Sequence, residues 1–401
     1  MSGPTSRRLV VLDVLRGAAV AGMILVTSPG DWNRTYAPLK HADWHGWTLA
    51  DMVFPTFLFA VGMAIGLSFP RNLSAPGARR QTWLRVFRRA AALILLGLAL
   101  NWLYTAPIFD IPVVIGHPGL AFVRLPGVLQ RIALCYVIAT AFILAHPRHR
   151  PDCRTDLDPR WIGAVIMMIL IVYGAMMIFV PVPGYGAGRL DPEGNLAAYV
   201  DRAIFTPRHL WPLGWANWGA PVVYDPEGLL STLPATANVL IGVLAGQMWR
   251  HTPERAAPRI ALAGVVLIGA GLLVDPIFPI NKRIWTSSFA LLSSGFSAVA
   301  LALFEIALRS RTAVWLATPL RILGGNAVLA FTLSILLGKF SGMPVFHTND
   351  LVLTPQAWGD TIARAVIPDE YAASLACALA VLTLTIFLLW PLHRRAIHFR
   401  L

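Results

Sequence analysis

The feature that most constrains this chain is a series of long apolar runs, at approximately 10–28, 48–69, 85–105, 126–146, 160–180, 230–249, 258–277, 285–308, 322–340 and 371–391. Each holds about 20 residues, the length that a helix rising 1.5 Å per residue needs to cross a hydrocarbon layer about 30 Å thick. The expected fold is therefore all-α: a polytopic transmembrane helical bundle of about ten helices, with the lipid bilayer as its principal surrounding. Composition agrees. Hydrophobic residues make up 56% of the 401, charged residues only 13%, and mean hydropathy is +0.63, more apolar than a water-soluble domain requires.

No soluble domain interrupts the pattern, so residues 1–401 read as a single transmembrane domain. The first run carries Asp13 and Arg16 and lacks a small-residue cleavage site, which favours a retained helix over a removed signal peptide. The long connection at about 181–229 is rich in Gly, Pro and Trp. Its aromatics, Tyr185, Trp211, Trp215, Trp218 and Tyr224, suit an ordered cap at the membrane interface. That cap is read either as a lid over an outer cavity or as packing at headgroup level.

Orientation follows from the basic residues, which are retained on the cytoplasmic side of membrane helices. Arg7, Arg8, Arg71, Arg79, Arg80, Arg85, Arg88 and Arg89 fall on the N-terminal side of the bundle, and so do Arg148, Arg150, Arg154, Arg160, Arg250, Arg255, Arg259, Arg309, Arg311, Arg321, Arg394, Arg395 and Arg400. Both termini are expected to be cytoplasmic. The same asymmetry accounts for the net charge of +13, which in a soluble chain would suggest a nucleic-acid partner; none is expected here. Cys135 and Cys377 lie in apolar runs and Cys153 in a cytoplasmic loop, so neither a disulfide nor a metal site is indicated.

Polar residues that a bilayer should exclude gather in four stretches: KHADWHGWTLADMVFP (40–55), RLPGVLQR (124–131), YDPEGLLSTLP (224–234) and PINKRIWTSS (279–288). Each falls at the outer end of an expected helix. A bundle with a polar outer vestibule follows.

Together with LDVLRG near the start, these motifs, in this order, resemble the membrane-bound heparan-α-glucosaminide N-acetyltransferase family and its bacterial relatives. The resemblance covers about residues 8–340. It implies a transmembrane acyltransferase that moves acetyl from acetyl-CoA to the amine of a glucosamine-like sugar or glucosamine-terminated saccharide, without a metal. It also identifies His41, the histidine of the HAxW motif, as the active-site residue. The chemistry agrees, because an amine attacking a thioester must lose a proton and imidazole accepts one near neutral pH. An acetyl-histidine relay is the alternative, and His45 is the competing base. The family often has an Asn at the end of the first helix, where this chain has Thr27 and Ser28; Thr27 offers a hydroxyl to a thioester in its place.

Around His41, candidate substrate-binding residues are Asp51, Gln130, Arg131, Asp225, Glu227, Asn281, Lys282 and Trp285. Asp51 is placed either to orient His41 and hold an ammonium or simply to favour a helix N-terminus. Arg131 inside a span requires a partner, with Asp51, Asp225, Glu227 and substrate as the choices. Lys282 either answers a developing oxyanion or pairs with the acids of DPEG, and Trp285 offers a stacking face. All but Gln130 and Trp285 are expected to converge with His41 on one cavity.

Acetyl-CoA is made in the cytoplasm, whereas His41 is expected outside, so a polar passage is needed for the pantetheine arm. Asp13, Arg16 and the GGN at 324–326, with Asn326 as its polar member, lie near the inner end and line that passage or else serve helix pairing. An amino-sugar transporter and a catalytically silent membrane subunit are the alternative functions. The bacterial relatives, and the lack of a lysosomal-type N-terminal extension, point to a bacterial inner membrane; a homodimer is compatible with such a chain.

Overall fold

The computed structural model describes residues 4–69, 73, 75–103, 120–149, 155–217, 220–343, 346–348 and 351–397. Trp218, Cys153, Arg71, Arg150, Arg154 and Arg400 lie outside them. Fourteen α-helices account for most of the rest: α1 Pro4–Thr27, α2 Leu49–Ser68, α3 Ala78–Trp102, α4 Val128–Ala145, α5 Pro159–Phe179, α6 Leu196–Phe205, α7 Thr232–His251, α8 Pro253–Val274, α9 Ser287–Ala307, α10 Arg311–Leu316, α11 Thr318–Gly325, α12 Ala327–Ser341, α13 Pro355–Val366 and α14 Glu370–Arg394. Two short antiparallel hairpins, Pro147–His149 with Thr155–Leu157 and Phe346–Thr348 with Leu351–Leu353, are the only named strands among the described residues.

Every expected apolar run falls on a helix, although not every helix is lipid-like. Seven described helices, α1, α2, α4, α5, α8, α9 and α14, are long and apolar enough to cross a membrane. The other expected spans differ for physical reasons. α3 opens on five arginines between Arg79 and Arg89. α7 packs against α2, α4, α5, α8 and α9 and is buried along most of its length, so protein rather than lipid surrounds its Thr236, Asn238 and Gln247. The run at 322–340 is not one straight span, because α11 and α12 meet at a bend of 92°. Gly324 and Gly325 put no side chains at that break, and Gly324 lies so close to α1 that a Cβ would fall 1.7 Å from the Asp13 carbonyl oxygen.

Close glycine contacts also set the centre of the bundle. An added Cβ at Gly62 would meet the Val239 carbonyl oxygen at 1.8 Å, and one at Gly242 would meet that of Phe59 at 2.1 Å. α2 and α7 thus touch backbone to backbone, as small residues allow in membrane helices.

Helix starts are capped by side chains where the sequence supplies them. Asp158 accepts from the backbone N–H groups of Arg160 and Trp161, Asn195 from Ala198, Thr354 from Ala357 and Asp369 from Ala372. The 181–229 connection is built around α6. Trp44 lies 5.0 Å from Tyr224 between ring centroids, Trp211 lies 6.2 Å from Tyr224, and the Arg283 guanidinium sits over both of the latter rings.

Candidate active site

Asp51 organises the site. It is buried in the first turn of α2, where its Oδ2 accepts from the backbone N–H groups of Thr48 at 3.0 Å and Ala42 at 3.1 Å. The helix-start role and the orienting role considered from sequence therefore coexist in one carboxylate. Its other oxygen, Oδ1, lies 2.8 Å from His41 Nδ1 and 3.4 Å from Lys282 Nζ. An ionised carboxylate only accepts, so His41 carries its proton on Nδ1 and leaves the Nε2 lone pair available.

Lys282 Nζ stands 3.1 Å from His41 Nδ1 and 3.3 Å from Nε2. Burial, then the Lys282 charge, hold the His41 pKa below its ordinary 6.5 despite the opposing pull of Asp51. Lys282 is itself lowered from 10.5, chiefly by burial. Its position comes from the turn at 281–286. Asn281 Oδ1 accepts from the N–H groups of Arg283 and Ile284, Asn281 N donates to Thr286 Oγ1, and Trp285 adopts a left-handed φ of 50°. Such a conformation is costly for a large residue. It is held in place because Trp285 is fully buried and donates Nε1 to Asn238 Oδ1 at 2.9 Å.

The acids of DPEG do not meet Lys282 in an ion pair. They meet Arg124, the first residue of RLPGVLQR, which was not singled out from sequence. Arg124 Nε donates to Asp225 Oδ2 at 2.8 Å and Nη2 to Asp225 Oδ1 at 2.5 Å; Nη2 also bonds Glu227 Oε2. Burial raises the Glu227 carboxyl, but the neighbouring Arg124 and Arg131 charges outweigh it and leave the pKa below 4.5. A basic residue just outside a span, facing two acids in another loop, was the available signal.

A cavity of about 1030 Å³ opens beside these groups. His41, Glu227, Lys282, Arg124, Gln130 and Thr27 line it; Asp51, Arg131, Asp225, Asn281 and Trp285 stand behind the wall or elsewhere in the core. Arg131 is buried in α4, bonds Gly228 O and Ser231 Oγ, and lies 5.0 Å over the Trp285 ring. Its partners are thus a carbonyl, a hydroxyl and an indole rather than a carboxylate. Trp285 meets Phe54 and Phe289 edge to face, lies under this guanidinium and, fully buried, presents no open face. His45 sits apart from the triad, its Nδ1 3.5 Å from Asn281 Nδ2.

Two polar atoms of residues in the cavity wall are buried without a partner among the described residues. Gln130 is buried, its side chain seated where Gly97 and Gly127 lack a Cβ, and its Nε2 has no partner among the described residues. Ser28 Oγ is likewise unpartnered, whereas Thr27 Oγ1 is spent on its own helix, donating to Met23 O at 2.8 Å. The free hydroxyl at the end of α1 is therefore that of Ser28. Lys339, another residue not singled out, lines the wall and donates to Leu100 O at 2.8 Å.

The remaining sequence candidates lie elsewhere. Arg16 pairs with Asp13 at 3.4 Å, and Asn326 Nδ2 donates to Ile397 O at 3.1 Å. Neither lines the cavity, which reaches Ala19 on α1 and Val328 on α12. No cluster of His, Cys, Asp or Glu with metal-binding geometry occurs among the described residues.

Fold and site define a class: an integral membrane protein in which a carboxylate-oriented imidazole and a neighbouring ammonium line the wall of a large cavity. Residues 8–152 match the family described as "Heparan-alpha-glucosaminide N-acetyltransferase, catalytic". The matched interval includes LDVLRG, HADWHGWTLADMVFP and GVLQR. The chain is 27% identical over 364 residues to heparan-alpha-glucosaminide N-acetyltransferase of Mus musculus, covering 82% of this chain and 53% of that protein. It is 27% identical over 363 residues to the protein of the same name from Homo sapiens, covering 81% and 52%. The chain is thus similar to this family, as its motifs indicate, and spans about half the length of the curated relatives it matches.

Proposed function

We propose that this chain is an acetyltransferase that carries acetyl from acetyl-CoA to the amine of an amino sugar, in a bacterial inner membrane, with His41 as general base. The observation that carries the reading is the His41–Asp51–Lys282 arrangement at the cavity mouth, in a chain similar to proteins named for N-acetyl transfer. Asp51 fixes the imidazole with Nε2 unprotonated. The acceptor amine attacks the thioester carbonyl, its proton passes to Nε2, the C–N bond forms, and the C–S bond breaks to release CoA, which takes a proton from the imidazolium. Lys282 Nζ, within 3.3 Å of Nε2, supplies positive charge where the carbonyl oxygen becomes an oxyanion. Direct transfer in a ternary complex asks of His41 only that it accept a proton, whereas an acetyl-histidine relay through the same Nε2 would require it to act as the nucleophile.

Glu227, lining the cavity with its charge retained, suits an acceptor ammonium before deprotonation. The cavity runs beside α12 from Val328 to Gly342, about 20 Å at helical rise. A space of this length suits a pantetheine arm entering from the inner face. The orientation rests on basic residues at the opposite end of the bundle.

Purified protein incubated with acetyl-CoA and glucosamine-terminated acceptors should release CoA and N-acetylate the sugar; His41→Ala with full activity would remove the base from this scheme. The depth of the same cavity favours one second reading, an amino-sugar transporter. In proteoliposomes that reading predicts movement of unmodified sugar without CoA release.

A further inference from the structure

The first three turns of α3 carry Arg79, Arg80, Arg85, Arg88 and Arg89, and no acidic residue occurs between Asp51 and Asp110. Arg79 is tied to the end of α4 through a 2.6 Å bond to Leu144 O. Val86, Ala90 and Leu93 form the buried stripe of α3. Arg80, Arg85, Arg88 and Arg89 are all exposed on the remaining faces. Among the described residues none of these four guanidiniums meets a carboxylate; Arg85 alone bonds a backbone oxygen, that of Gln81.

Leu84 and Phe87 are 58% and 55% exposed between them, and Trp83 stacks on Phe87 at 5.3 Å. Exposed aromatic and aliphatic groups mixed with arginines mark the depth of lipid headgroups.

The arginine-free part of α3, from Ala90 to Trp102, rises only about 20 Å, against a hydrocarbon thickness of about 30 Å. Arg88 and Arg89 consequently lie at or inside the edge of the apolar layer. Unpaired cations there must reach a counter-charge, by extension of their side chains and local thinning of the bilayer.

We infer that the arginine band of α3 is a binding site for the phosphate of anionic phospholipid, drawn inward to Arg80, Arg85, Arg88 and Arg89 while Leu84 and Phe87 receive its acyl chains. The inference is independent of the acetyl-transfer reading.

The test compares thermal unfolding of purified protein in neutral detergent during titration with phosphatidylglycerol, phosphatidylcholine or inorganic phosphate, with native mass spectrometry to count retained lipid. Phosphatidylglycerol should raise the unfolding temperature by several degrees and be retained, while phosphatidylcholine and phosphate leave it unchanged. A variant with Arg80, Arg85, Arg88 and Arg89 all changed to Gln should lose both effects. One with Arg255→Gln, Arg259→Gln, Arg309→Gln and Arg311→Gln, exposed arginines at the same end of the bundle, should keep them. If the fourfold α3 variant fails to fold, the pair Arg88→Gln and Arg89→Gln should still show a several-fold weaker lipid response. Equal protection by inorganic phosphate would assign the band to free phosphate instead of lipid. Equal loss in the Arg255–Arg311 variant would reduce the effect to general charge, and undiminished lipid binding in both α3 variants would overturn the site.

Discussion

His41 is pulled in two directions, because Asp51 favours its protonated form while burial and Lys282 oppose it. A base must be neutral to accept a proton, so the acid limb of the rate–pH profile should fall below pH 6.5. Lys282→Met removes the cationic neighbour and should move that limb upward as it lowers kcat. Asp51→Asn removes the opposing charge and should move it downward, and a full profile of each variant reads both signs. His41→Ala should cost about 10²- to 10⁴-fold in turnover, the usual contribution of a positioned base. Arg124 has a different part. Its removal in Arg124→Ala leaves Asp225 and Glu227 buried without their cation, at a cost of about 3–5 kcal/mol, to be seen as a fall in unfolding temperature with retained lipid-soluble expression. Of these residues His41 and Asp51 were legible together, since both sit in one motif ten positions apart. The Arg124 pairing was not, because it joins loops about 100 residues apart in the chain and either Lys282 or Arg131 satisfied the same charge rule.

Helix existence was written in hydropathy, whereas helix shape depends on neighbours that hydropathy does not name. The run at 322–340 looks continuous, yet α11 and α12 meet at a bend of 92°, and Gly17 and Gly324 bring α11 against α1 beside it. The α2–α7 contact makes the same dependence testable. Gly62→Ala or Gly242→Ala places a methyl against a backbone oxygen closer than 2.2 Å, forces the helices apart, and should destabilise by about 1–3 kcal/mol in a thermal shift. α6 provides a pH test. Its Asp201 accepts from Leu229 N at 2.8 Å, and burial, with the Asp225 charge adding to it, pushes its pKa from 3.8 up to about 7. The folded chain therefore holds a proton that the unfolded chain releases near pH 4, so this group's contribution to stability falls as pH rises from about 4 to about 7. Asp201→Asn should flatten that slope and stabilise the protein at pH 8, read by unfolding midpoints across the range. A carboxyl with such a pKa carries no mark in the sequence; only the packing of α6 under Gly228 and Leu229 creates it.

Across the whole molecule, polar motifs gather at one end and arginines at the other, and a cavity of about 1030 Å³ opens beside the polar motifs and reaches Ala19 and Val328. That polarity was readable from residue order alone, because alternate helix ends carry alternate chemistry. What could not be read is the cavity itself, because its wall is assembled from α1, α2, α3, α4, α12, α13 and α14, which lie far apart in the chain. Accessibility labelling of single cysteines in intact cells should place residues 40–48 outside and 309–311 inside, with the reverse pattern contradicting the orientation. The central claim is that acetyl reaches an amino sugar with His41 as the base. Its most direct test is purified wild-type and His41→Ala protein in lipid nanodiscs, supplied with acetyl-CoA labelled in the acetyl group and a glucosamine-terminated acceptor. Labelled N-acetyl sugar and an equal amount of free CoA are expected from the wild type, with neither above background from the variant. Unmodified sugar with no CoA released by the wild type, or equal product from both proteins, would contradict it.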